Sequence, residues 1–116
     1  MPCIRVTITE PPFIPDDVRC NVSVVENNRL TLPCPAEGTP TPRISWLKDG
    51  YPLSGHEVGV RVLPDGSLQL DHVQAGDAGQ YTCVAENVAG NTTKDFHLRV
   101  FRKYHSLPWA QICVQH

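Results

Sequence analysis

Asp77-Ala78-Gly79-Gln80-Tyr81-Thr82-Cys83, in the second half of a 116-residue chain, carries the pattern that decides the fold. An acidic residue and small residues open a turn. Tyr81, Cys83 and Ala85 then alternate with Thr82, Val84 and Glu86, which places the first three on one face of a strand. The same period of two recurs upstream, where Leu30, Leu32 and Cys34 share a face. Ile44-Ser45-Trp46-Leu47-Lys48 forms the next strand, closed by the turn pair Asp49-Gly50. Val58, Val60 and Val62 alternate, Pro64-Asp65-Gly66 turns the chain, and Leu68 and Leu70 alternate with their polar neighbours. Asn87 to Asn91 reads as a loop, and Phe96, Leu98 and Val100 alternate on a last strand. No segment shows a helical apolar period, so the chain reads as all-β.

Length and composition bound the function. A chain of this size forms one ordinary domain. Its net charge of −2, from 12 acidic and 10 basic residues, lacks the clustered basic surface of a nucleic-acid binder. No apolar run is long enough to cross a bilayer as a helix, so no direct membrane insertion is expected. Met1-Pro2-Cys3 lacks the apolar core of a signal peptide, and the chain is expected to be an excerpt of a longer secreted one. Eleven prolines and eight glycines fit a domain of short strands and many turns. Five cysteines leave at least one outside any internal framework.

Cys34, Trp46 and the run Asp77 to Cys83 together resemble the immunoglobulin pattern Cys…Trp…Asp-x-Gly-x-Tyr-x-Cys. The flanks Pro11-Pro12-Phe13-Ile14 and Ala85-Glu86-Asn87-Val88-Ala89-Gly90 are similar to the first strand and the last hairpin of intermediate-set domains, which recur in matrix and cell-adhesion proteins. The resemblance implies a two-sheet antiparallel β-sandwich with Greek-key connections. It implies a Cys34–Cys83 bridge between the sheets, with Trp46 packed against it and Tyr81 forming a tyrosine corner. Leu32 and Leu70 complete the expected core, and an ion pair between Arg61 and Asp77 is expected at its base. Such a bridge closes a loop of about 50 residues and is worth roughly 4 kcal/mol. It also implies an oxidising compartment, secreted, matrix or cell-surface. The domain is expected to span residues 11–101. Residues 1–10 read as the end of a preceding unit or a linker, and residues 102–116 as a disordered or loosely docked tail.

The candidate sites follow from this frame. Asn21-Val22-Ser23 and Asn91-Thr92-Thr93 are sequons for N-linked glycans. With Trp46 and Cys83 inward, Arg43, Ser45 and Leu47 point outward, as do Thr82, Val84 and Glu86, joined by His97 and Arg99. Leu47 and Val84 then form an apolar centre with a charged rim, the usual construction of a protein interface. Cys3, Cys20 and Cys113 match no position of the pattern and read as free thiols, with a local Cys3–Cys20 bridge or an intermolecular bond through Cys113 as the alternatives. Cys113 and His116 have metal-ligand spacing but no further ligands, so no metal or cofactor is expected. His56, His72 and His97 have no local nucleophile, and no phosphate loop or Gly-x-Ser-x-Gly occurs, which argues against an enzyme. The expected role is an extracellular protein-binding or adhesion module, with a second copy of the domain among the candidate partners. A ligand-recognition domain of a receptor and a structural spacer are the alternatives.

Overall fold

Short alternating segments separated by Gly, Pro and Asp-rich turns can bury their apolar faces only by stacking sheet on sheet. The computed structural model, which describes residues 8–15 and 20–102, has that form. Its strands are β1 (Glu10–Phe13), β2 (Cys20–Val25), β3 (Leu30–Leu32), β4 (Glu37–Thr39), β5 (Arg43–Lys48), β6 (Tyr51–Pro52), β7 (Val60–Val62), β8 (Leu68–Leu70), β9 (Gly79–Asn87) and β10 (Gly90–Phe101). A 3-10 turn, Ala75–Asp77, precedes β9. One sheet has the order β2-β10-β9-β5-β6, and the opposing sheet β3-β8-β7, with β1 and β4 as a separate pair. The chain passes from one sheet to the other between β2 and β3, back between β3 and β5 by way of β4, and again between β6 and β7 and between β8 and β9, the Greek-key arrangement the resemblance implied.

Side chains from both sheets meet in one core. Val22, Val24, Trp46, Tyr81, Cys83, Ala85, Phe96 and Leu98 come from the larger sheet, and Leu30, Leu32, Leu68 and Leu70 from the smaller. Cys34 follows β3 and bridges to Cys83 across the sandwich, with Cα atoms 6.3 Å apart. In register, Trp46 lies beside Cys83 on the neighbouring strand. Its ring stands 5.8 Å from that of Phe96, and its indole Nε1 donates to the Gly66 carbonyl at 2.8 Å. Gly66 sits at φ +92°, and a Cβ there would lie 2.9 Å from Ile44, so no larger residue could present this carbonyl without a shift.

Three local expectations need correction. Val58 is fully exposed and outside β7, which holds only Val60–Val62. The chain before it is instead shaped by Glu57, whose carboxylate accepts from Ser54 N, Ser54 Oγ and Gly55 N. Those bonds hold the Glu57 carboxyl down to about 2. Pro11 and Pro12 lie inside β1, where the resemblance puts the first strand. β1 pairs only with the short β4, through an irregular register, where missing N–H donors are tolerated. The last hairpin is tighter than a loop from Asn87 to Asn91. Asn87 already faces Gly90, leaving Val88 and Ala89 to turn the chain, and Asn91 belongs to β10. Finally, Arg61 does not pair with Asp77. Its guanidinium lies 4.0 Å from Asp71, which also binds Arg29 at 3.1 Å. Asp77 turns its carboxylate back to accept the Gln74 N–H at 2.7 Å.

Candidate protein-contact face

The pleat of β5, β9 and β10 sorts side chains by parity. Trp46, Tyr81, Cys83, Ala85, Phe96 and Leu98 are buried on the inner side. The outer side carries the sequence-predicted set, and the register fixes its layout. Arg43 faces Glu86, Ser45 faces Val84, and Leu47 faces Thr82. Across the next strand Glu86 faces Asn91, Thr82 faces Asp95, and Gln80 faces His97. Arg99 lies further along β10, beside Ser23 of β2. The candidates Arg43, Leu47, Thr82, Val84, His97 and Arg99 therefore share one surface. Leu47 and Val84 are half-buried in it, and Arg43 and Arg99 are exposed.

Polar contacts stiffen this surface. Thr82 Oγ1 donates to Asp95 Oδ1 at 2.8 Å, fixing two neighbouring strands side chain to side chain. Arg99 lies over the Phe101 ring at 6.0 Å, a cation–π arrangement. At the β5–β6 turn, Asp49 accepts the Gln80 N–H at 2.9 Å. That bond, helped by the Lys48 ammonium, holds the Asp49 carboxyl below the usual range. Gly79, at φ +143°, admits the same carboxylate, because a Cβ there would meet Asp49 Oδ1 at 2.8 Å. The glycine of the decisive motif thus makes room for an aspartate from the β5–β6 turn.

Beneath the face, the corner is built as the residue pattern implied. Tyr81 Oη donates to the Asp77 carbonyl at 2.6 Å. Burial, followed by the Asp77 and Asp49 carboxylates, pushes the phenol far above the ordinary tyrosine range. Tyr81→Phe removes the only donor this hydroxyl supplies and is expected to cost about 1 kcal/mol. The urea midpoint should fall with the slope of the transition unchanged.

Two residues of consequence were missed by sequence reasoning. Asn87 Nδ2 donates to both the Glu10 and Pro40 carbonyls, at 2.8 and 2.9 Å, while its Oδ1 accepts from Ala89. It therefore clasps β1 and the loop before β5 to the last hairpin. Lys94 is buried on the inner side of β10, its ammonium 5.1 Å from the Phe96 ring centre. Asn in a turn-like stretch and Lys in a polar run carry no signal of such long-range partners. Cys3, Cys113 and His116 lie outside the described residues, as do the ends of the chain. His56 and His72 are exposed, and His97 belongs to the outer face. Among the described residues no three His, Cys, Asp or Glu side chains are placed to hold a metal ion.

A sandwich of two sheets, bridged by Cys34–Cys83, with a core tryptophan beside the bridge and a tyrosine corner, defines an immunoglobulin-like domain. The family model described as Immunoglobulin I-set domain matches residues 15–100, and the chain belongs to that family. Hemicentin-1 of Mus musculus is 48% identical over 81 residues, which cover 69% of this chain and 1% of hemicentin-1. Roundabout homolog 1 of Rattus norvegicus is 36% identical over 90 residues, covering 78% of this chain and 6% of its own. The chain thus spans a small fraction of the curated relatives it matches. Among solved structures, Sidekick-1 immunoglobulin domains 1–4 align with a TM-score of 0.74 at 30% identity, over 79% of this chain and 24% of that one.

Proposed function

We propose that this domain is an extracellular protein-contact module of a larger adhesion or matrix protein, and that it works through the outer face of β5, β9 and β10. The observation that carries the reading is the layout of that face. Leu47 and Val84 stand on adjacent strands, half-buried at its centre. Arg43 and Glu86 lie beside them, with Asp95, His97 and Arg99 further out on β10. Charges of both signs on one surface suit contact with a second copy, because an isologous interface sets each patch against itself. The bridge in the core supports an oxidising, extracellular setting.

Beads coated with the secreted domain are expected to cluster. Leu47→Asp or Val84→Asp should disperse them while leaving the melting temperature nearly unchanged, since both side chains project from the outer face. Clustering that survives both substitutions would remove the face from the account. Wild-type beads that never cluster would exclude a second copy as the partner.

A further inference from the structure

Both sequons project from this same face. Asn91 is exposed on the outer side of β10, opposite Glu86. Asn21 is exposed on β2, which runs parallel to β10 and places it in register with His97. Val22 and Val24 on β2 are buried, so alternation turns Asn21 and Ser23 outward. Among the described residues, no hydrogen bond or ion pair engages either asparagine side chain. Register puts them six positions apart along β10, or roughly 20 Å at the usual strand rise. They therefore mark two ends of one side of the sheet, whereas Leu47, Tyr51 and Pro52 lie on the other.

We propose that Asn21 and Asn91 both carry N-linked glycans, and that these cover the β2–β10 side of the outer face and confine protein contact to the β5–β6 side. The donor is an oligosaccharide joined through its C1 to a lipid pyrophosphate. Asn Nδ2 forms a bond to C1, the bond from C1 to the pyrophosphate oxygen breaks, and the Nδ2 proton leaves with the pyrophosphate. No electrons are exchanged with an outside oxidant or reductant. The sequons Asn21-Val22-Ser23 and Asn91-Thr92-Thr93 satisfy the acceptor rule, with neither middle residue proline. A bulky solvated chain on each asparagine would stand over His97 and Arg99 and leave Leu47 and Tyr51 open. The confinement of contact rests on the function proposed above; the occupancy of the two asparagines does not.

The domain secreted from a eukaryotic host should lose two glycan masses on treatment with peptide N-glycosidase. Asn21→Gln and Asn91→Gln should each remove one, as should Ser23→Ala and Thr93→Ala, which keep the asparagines. Hydroxyl-radical footprinting of the glycosylated and enzyme-treated protein then reads the coverage. Labelling of His97 should rise on deglycosylation, and labelling of Tyr51, exposed on β6, should not change. An unmodified asparagine at either position overturns the proposal. So does His97 labelling that is indifferent to two occupied sites. Full occupancy with dispersed beads would leave the glycans in place and remove only the contact reading.

Discussion

Replacing Trp46 by alanine is expected to lower the stability of the domain by about 3–5 kcal/mol, the range for emptying a buried aromatic site. Trp46 is 1% exposed, stacks against Phe96 and lies beside the bridge cysteine in register. Its loss would also strand the Gly66 carbonyl, which has the indole N–H as its partner at 2.8 Å. A buried acceptor left without a donor adds about 1–3 kcal/mol of unmet desolvation, so the upper half of the range is favoured. For a domain of this size such a change lowers the melting temperature by on the order of 15–30 °C. Trp46→Phe keeps an aromatic ring but loses the indole donor and part of the buried volume, so its stability should fall between those of the alanine variant and wild type. Chemical denaturation of the two variants checks this, and equal midpoints for Phe and wild type would show that the hydrogen bond contributes nothing.

The second large effect belongs to the bridge. Cys34→Ala opens a crosslink with a sequence separation of 49 and is expected to cost roughly 4 kcal/mol by the chain-entropy account. That is comparable to the whole net stability of many small domains, so the variant should be largely unfolded near body temperature. The expectation depends on where the sulfurs sit. Cys34 and Cys83 are both buried, and each joins a different sheet. Cys83→Ala should behave the same way, and the double variant should cost no more than either single one, since one crosslink is removed in all three. Thermal melts of the three variants test this. A single variant melting within a degree or two of wild type would remove the bridge from the account of stability.

Much of this frame is legible from residue order, for a physical reason. Alternation in Leu30 to Cys34, Tyr81 to Ala85 and Phe96 to Val100 is a local property, and burial on one face enforces it. What the alternation could not carry is partner choice across the sandwich. Arg61 and Asp77 share a sequence pattern with related domains, yet Asp71 is the carboxylate nearest Arg61, and Asp77 caps its own turn. From sequence the hairpin at Val88-Ala89 reads as longer, because Asn87, Gly90 and Asn91 are all turn-forming types. In fact Asn87 spends its side chain on carbonyls 47 and 77 positions away, and no local rule anticipates that. The outer face was legible in membership, since parity alone selects Arg43, Leu47, Val84 and Arg99. Its registration against Asn21 was not, because the parallel pairing of β2 with β10 joins segments from opposite ends of the domain.

Sedimentation velocity of the secreted domain over a wide concentration range, with and without a mild reductant that spares the buried bridge, tests the proposed contact face most directly. The account predicts a dimer that persists in reductant and weakens on Leu47→Asp or Val84→Asp. A monomer at every concentration, or a dimer that vanishes in reductant and so depends on Cys3, Cys20 or Cys113, would contradict it.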